Sequence, residues 1–391
     1  MFRNTLILLI SMLLVAACGD EDNVEPPAEL TEFDRTHYLH LEWSASTSDS
    51  IAQQYLYIEP LLLEERIVTA GRNGTLNAYD LETGEELAEV ELDVALSGGV
   101  GGTEDIWLVG SQNGELIAVD ANANDILWRT AVPSEILARP VVYNRKVVLV
   151  RTADGQILGI DINSGRINWN FSRTIPALTL RGSSPPTLSR AHVYTGLESG
   201  RLIAVSPIDG EVAWDVALTV PQGRSEIQRL VDIDGRSELY GRILYAVSYQ
   251  GRIGAIDVTR GQFLWARPFS SNTGVSVGTE AVFSTDDRSH VWALDRNNGA
   301  TLWKQDKLQA RGVTRPVIYK DFLVVGDALG YVHVMSRFDG RFVARTQVDS
   351  DGILVPPVVD DDRLLVLSRD GYLAAFSIRE SAPYTDEELF E

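Results

Sequence analysis

Cysteine is almost missing: the 391-residue chain has one, Cys18. A single thiol excludes an internal disulfide framework and any multi-cysteine metal site. Histidine is scarce as well, and the five (His37, His40, His192, His290, His333) fall without metal-ligand spacing. Basic charge is the minority, 34 Lys+Arg against 55 Asp+Glu, for a net charge of −21. With no Lys/Arg-rich run, the concentrated basic surface that nucleic-acid binding needs is lacking, so no nucleic-acid partner is expected. No apolar run reaches the roughly 20 residues that cross a bilayer as a helix. No Gly-rich phosphate loop, nucleophile–base pair or carboxylate cluster with metal-loop spacing stands out. Amphipathic helical patterning is weak through the body, which excludes a helical solenoid.

What the first residues do hold is an address. Arg3 is the only charge before Asp20, and the apolar core Leu6–Val15 (LILLISMLLV) leads into Val15-Ala16-Ala17-Cys18. A basic start, a short apolar core and small residues describe a secretory signal over residues 1–17. An ordinary signal with an incidental cysteine, or a buried apolar helix, would share that hydropathy. The only cysteine, however, stands where processing would need it. This ending resembles the lipobox of bacterial lipoproteins, in which the peptide is cut before a cysteine that carries lipid. The resemblance implies lipidation of Cys18 by several acyl chains of the palmitate class, since one chain anchors weakly. Gly19, in place of the aspartate that favours inner-membrane retention, points to the periplasmic face of the outer membrane. Residues 18–35 follow as an acidic tether. Its stretch GDEDNVEPPAELTEFD has seven carboxylates, Pro26-Pro27 and few apolar side chains, too little to offset the entropy of ordering. Residues 380–391 read as a loose acidic tail.

The body is one unit repeated eight times. Asn73–Asp80 (NGTLNAYD) returns as NGELIAVD from Asn113, DGQILGID from Asp154, SGRLIAVS from Ser199 and QGRIGAID from Gln250. RSHVWALD from Arg288, LGYVHVMS from Leu329 and DGYLAAFS from Asp370 complete the set. The anchors Gly74, Gly114, Gly155, Gly200, Gly251, Ser289, Gly330 and Gly371 are spaced 38 to 51 residues apart. Pairs such as Asn-Gly and Asp-Gly predict two-residue hairpin turns with positive φ. Two residues on stands Leu, Ile or Val in every copy, and four on stands Ala in all but Gly159 and Val334. That small position predicts close approach of a neighbouring sheet. A second turn glycine comes ten residues after the anchor (Gly84, Gly165, Gly210, Gly261, Gly299, Gly340), and a tryptophan fourteen after (Trp128, Trp169, Trp214, Trp265, Trp303). With a β-rich run and a short apolar piece before each anchor, each unit supplies four strands. Units of this kind are propeller blades; a stack of strands in a solenoid is the structural alternative.

The fold expected is all-β, an eight-bladed β-propeller of four-stranded blades over residues 36–379. The eighth unit ends without its Trp-bearing strand, while His37–Ala45 (HYLHLEWSA), with Trp43, stands unpaired at the other end. An N-terminal strand is therefore expected to close the ring, which removes free sheet edges.

The unit resembles the repeat of the quinoprotein (PQQ-dependent) alcohol dehydrogenases over residues 36–377, a likeness of fold and not of reaction. Those enzymes use calcium with acidic ligands, basic residues around the quinone and commonly a vicinal cysteine pair. No such set is present, so the expectation is a protein without catalytic residues, cofactor or metal. The repeated Asp80, Asp120, Asp161, Asp257 and Asp295 could form a metal ring, but they suit the capping of the following turn by accepting backbone N–H bonds, as would Ser206, Ser336 and Ser377. A PQQ-dependent dehydrogenase-like enzyme and a ligand-binding periplasmic propeller lipoprotein stand as alternatives.

The two longest repeats are adjacent, and their extra residues, 173–186 and 221–239, lie between one blade's Trp strand and the next blade's first strand. Such connections emerge on one face, so the two inserts are expected side by side at one rim, where repeat proteins build binding surfaces. They read IPALTLRG from Ile175 and RSEIQRLVDID from Arg224. Aliphatics beside Arg and Asp suit a protein contact; they could equally plug the rim while the charges face water. Lipobox, propeller, LTLRG and RSEI…RL.D.D together resemble the BamB family, lipoproteins of the outer-membrane β-barrel assembly machinery, along the whole chain. The resemblance implies docking on the POTRA domains of BamA within the Bam complex. It assigns Leu178, Leu180 and Arg181 as contacts from the first loop, with Asp232 and Asp234 from the second. Ser289 in place of a turn glycine, and Asn124 in place of a second-turn glycine, depart from the pattern. Strand addition to sheet edges would let such a propeller bind unfolded outer-membrane protein precursors, with no residue singled out for it.

Overall fold

The computed structural model describes residues 25–47, 58–180, 182 and 184–381. Cys18, the signal segment, Arg181 and the tail from residue 382 lie outside the described residues. The described chain forms eight four-stranded antiparallel sheets. Blade three is representative, with strands Val141–Tyr143, Val147–Arg151, Ile157–Asp161 and Ile167–Phe171 in that order across the sheet. The middle strands are buried, while the fourth is largely exposed. Among the described residues there is no central core. Eight apolar clusters are present instead, each joining two neighbouring blades. This is why the third strands are apolar on both faces.

The ring closes as the sequence predicts. His37–Ser46 pairs antiparallel with Tyr372–Glu380, from His37 opposite Glu380 to Ser46 opposite Tyr372. It is the fourth strand of blade eight, in the order β1 (His37–Ser46), Tyr372–Glu380, Arg363–Leu367, Val358–Asp360. The last strand runs a little beyond the expected end of the propeller, and Ser381 N–H donates to Thr36 O at 2.9 Å.

The repeated tryptophans are latches between blades. Each indole N–H donates to a backbone carbonyl of the next blade: Trp43 to Leu81, Trp128 to Ile162, Trp169 to Pro207, Trp214 to Val258, Trp265 to Arg296 and Trp303 to Arg337, at 2.8–3.2 Å. The ring lies on that blade's second turn glycine. A Cβ on Gly84 or Gly299 would come within 2.4 or 2.5 Å of it, and both glycines have positive φ. The small position four after the anchor is the indole's cross-strand partner, as in Ala118 opposite Trp128 and Ala293 opposite Trp303. Both exceptions fit this seat. Gly159 faces Trp169, whereas Val334 faces Ala344, where no indole needs room. Asn124 is explained likewise. Blade one has Ala88 at the tryptophan position, so no ring covers the turn of blade two, and Asn124 holds φ +58° there.

Three features differ from the sequence expectation. The anchor turns are three-residue loops, as where Thr152 N–H meets Gln156 O and Gly155 N–H meets Thr152 O. This is a type I turn followed by a left-handed residue. Ser289 takes that position at φ +68°, and its Oγ accepts N–H bonds from Gly312 and Val313 of the next lead-in. Second, residues 25–35 of the expected tether lie against blades six and seven. Ala28 N–H donates to Gln309 O and Arg311 Nη1 donates to Ala28 O, both at 2.9 Å. Phe33 meets Phe342 beneath the Arg345 guanidinium. Two apolar side chains, Leu30 and Phe33, suffice to dock a segment whose composition reads as loose. Third, Ser377 caps no turn among the described residues; its hydroxyl donates to Glu42 on the closing strand.

Candidate functional site at the paired rim loops

The two inserts meet on one face, between blades three and five. Leu180 N–H donates to Asp232 Oδ2 at 2.5 Å, and a Cβ on Gly182 would lie 2.7 Å from Asp234 Cγ. The base of the first loop is fixed by Arg173, which shares the Asp215 carboxylate with Arg201, each at 2.5 Å. The second loop carries a short 3-10 turn, Ile227–Arg229, tied by Ser225 Oγ and Gln228 Oε1 to neighbouring N–H groups. Past it the chain turns inward. Leu230, Val231 and Ile233 are buried, with Ile233 against Gly196 in the core shared by blades four and five.

Both readings of the rim aliphatics therefore apply, to different residues. Leu230 and Ile233 are plugs. Leu178 is 40% exposed and Ile227 65% exposed, on loops otherwise held in place. Leu180 is half-buried and faces the axial cavity. Asp232 is 1% exposed and Asp234 half-buried, and it is Asp232 that ties the loops together, through Leu180 N–H. Neither carboxylate projects from the rim.

Beneath them lies a buried ion pair that the sequence did not single out. Arg151, with no exposed surface, donates to Glu198 at 2.5 Å. An arginine inside the apolar strand Val147–Arg151 was the available signal. Burial raises the Asp232 pKa to about 6, with Glu198 adding to the rise; the Leu180 N–H and Arg151 oppose it. Burial and the Asp232 charge push Asp234 up to about 8, and its oxygens have no hydrogen-bond partner among the described residues.

The sign of the pH effect follows. Both carboxyls bind protons more tightly folded than unfolded, so their stabilising contribution is full below the unfolded value near 3.9 and is lost as pH rises through about 6 and about 8. Asp234→Asn should therefore melt higher than the parent at pH 8.5, with the gap closing towards pH 4. Circular dichroism melts of the two proteins across that range measure it, and a pH-independent gap would refute the assignment.

The repeated aspartates are turn caps. Asp80 Oδ1 accepts N–H bonds from Glu82 and Thr83 at 3.0 and 2.8 Å, and Asp120, Asp161, Asp257 and Asp295 do likewise. These bonds hold the carboxyls of Asp80, Asp120 and Asp257 below the ordinary carboxylate range, and at Asp161 the Ser164 hydroxyl leads the same effect, with the backbone bonds adding to it. Among the described residues, no group of three or more His, Cys, Asp or Glu is placed to hold a metal.

Comparison with known proteins agrees with this architecture. The family model PQQ_2, described as outer membrane protein assembly factor BamB, matches residues 72–305 and 299–382. The chain is 39% identical to the outer membrane protein assembly factor BamB of Pseudomonas aeruginosa, covering 95% of this chain and 98% of that protein. To the same factor of Yersinia pestis it is 33% identical, over 96% and 99%. The crystal structure of BamB from Moraxella catarrhalis superposes with a TM-score of 0.80 at 28% identity, over 87% of this chain and 99% of that one. The quinohemoprotein alcohol dehydrogenase of Comamonas testosteroni, at 13% identity and a TM-score of 0.69, shares the fold. Propeller, repeat and near full-length identity converge: the chain belongs to the BamB family of outer membrane protein assembly factors.

Proposed function

We propose that the protein is a non-enzymatic lipoprotein scaffold of the β-barrel assembly machinery. In this reading lipid on Cys18 holds it to the periplasmic face of the outer membrane. The rim formed by residues 173–186 and 221–239 docks on the POTRA domains of BamA, and the complex assists folding and insertion of outer-membrane proteins. One observation carries the docking surface: Leu178 and Ile227 stay exposed on two loops cross-tied by Leu180 and Asp232. Exposed aliphatics on a preorganised surface bind with little ordering cost. Leu178 and Arg181 serve as contacts, while Asp232 sets the loop geometry through Leu180 N–H and Asp234 lies beside Gly182. The non-enzymatic reading is supported by the use of the repeated aspartates as turn caps and by the assembly-factor names of the relatives.

Co-purification from detergent-solubilised membranes tests this. Leu178→Asp and Arg181→Glu should each abolish recovery of BamA while the melting temperature stays within about 2 °C of the parent. Asp232→Asn keeps an acceptor for Leu180 N–H and should retain most of the recovery, whereas Asp232→Lys should lose it. Full recovery of BamA with both Leu178→Asp and Arg181→Glu would remove this surface.

A further inference from the structure

Each blade is entered through a short lead-in, and in every blade but the second, where Val94 packs into an apolar cluster instead, the residue two positions before the first strand stands at the propeller axis. In blades one, three, five and seven that residue is charged: Glu59, Arg139, Arg236 and Arg315, preceding Leu61–Leu62, Val141–Tyr143, Glu238–Tyr240 and Val317–Tyr319. In blades four, six and eight it is Pro185, Thr273 or Pro356. All seven line one axial cavity of about 460 Å³. Alternate blades thus place three guanidiniums and one carboxylate around a single room.

The ring is positive inside a chain of net charge −21. Among the described residues, none of the three arginines forms an ion pair. Arg315 donates one Nη to Ser276 Oγ at 2.6 Å, and its Nε is buried without a partner. Burial and the neighbouring Arg236 draw its pKa down to about 10, with Arg139 adding to the effect; Glu59 and Glu238 only partly oppose it. Burial likewise lowers Arg139, opposed by Glu59 and deepened by Arg236. With its pKa at about 10, Arg315 remains charged at neutral pH. Glu238 is partly engaged, accepting Val277 N–H at 3.2 Å. The cavity also holds the carboxyls of Asp234, which burial and the Asp232 charge push up to about 8, of Asp286, which is bonded to His290 and Trp292, and of Asp287. Arg139 and Arg315 are half-buried and Arg236 is exposed at the cavity mouth, and like charges gathered around one cavity are stabilised by an anion that bridges them.

We propose that this ring binds a compact, multiply charged oxyanion of the phosphate or polycarboxylate class on the propeller axis, held by Arg139, Arg236 and Arg315. The cavity is within the size range of small-molecule sites. It also reaches the rim. Leu180, Gly182 and Asp234 line it, and Arg236 continues the second insert through Gly235, with a backbone bridge to Gly274. An occupant would brace the inner ends of both inserts.

Calorimetric titration of the full-length mature lipoprotein in detergent tests the site, with pyrophosphate and citrate as probes and sodium chloride at matched ionic strength as control. One saturable site is expected for at least one probe, with a Kd of about 100 µM or tighter. The preferred probe tells phosphate from carboxylate chemistry. Arg139→Gln and Arg236→Gln should each weaken binding by about tenfold or more. Arg341→Gln, at an exposed arginine paired with Asp339, should leave it unchanged. Without anion, Arg139→Gln and Arg236→Gln should melt at or above the parent temperature, because repulsion is relieved; this separates lost binding from lost fold. No saturable heat with either probe up to about 10 mM, or binding that survives both substitutions, would overturn the proposal.

Discussion

Deletion of residues 36–46 lowers the melting temperature by about 15 °C or more, or leaves no cooperative transition, as read by circular dichroism. The size of the effect follows from what the segment supplies. It is the outer strand of blade eight, paired along Tyr372–Glu380 from end to end. It also carries Trp43, whose ring lies on Gly84 and whose indole N–H reaches Leu81 O at 3.1 Å. Trp43 packs with Ile67, Tyr79 and Leu365 in the cluster that joins the last blade to the first. Removing a buried tryptophan side chain alone costs about 3–5 kcal/mol, so Trp43→Ala should lower the melting temperature by several degrees. The deletion adds the loss of a whole strand and leaves the edge of Tyr372–Glu380 open to association. A melt unchanged by the deletion would refute closure through this strand.

The second large effect is expected at a turn. Gly299→Val should destabilise the protein by about 3 kcal/mol or more, because two costs add at one position. A β-branched residue is forced to φ +73°, and its Cβ would start 2.5 Å from the Trp265 ring. The ring cannot simply withdraw, since its N–H is bonded to Arg296 O at 2.9 Å and Ala255 backs it across the strand. Asn124→Gly, at the equivalent turn without a tryptophan above it, should stay within about 1 kcal/mol of the parent, because asparagine already tolerates the left-handed conformation. Urea unfolding of both variants measures the contrast. Equal stability of Gly299→Val and the parent would show that the indole seat does not select glycine.

These two cases also mark what could be read from the sequence and what could not. Blade number, ring closure and the meeting of the inserts were legible because each is a matter of spacing within a repeat, and one repeated contact imposes one repeated residue. Even the exceptions obey the contact: Gly159 serves Trp169, and Asn124 and Val334 mark places where the tryptophan is missing. The interior of the rim was less legible. Asp232 and Asp234 read as surface charges, yet their burial depends on how Leu230 and Ile233 turn the loop inward. Arg151 and Glu198 belong to different blades and share no motif. The axial arginines become a ring only when the lead-ins of alternate blades are superimposed. Residues 25–35 read as loose because composition counts polar residues but does not see that Leu30 and Phe33 find a surface waiting.

Closing the circle with its first strand has a consequence for the order of assembly. His37, from the first strand, pairs with Glu380, from the last strand of the ring. Until the strand Tyr372–Glu380 has been made, the growing chain is an open arc with an unlatched blade at either end. Contacts so distant along the chain are slow to form, and exposed strand edges invite misassociation while they wait. A ribosome that stalls before the final strand leaves behind a crescent unable to lock.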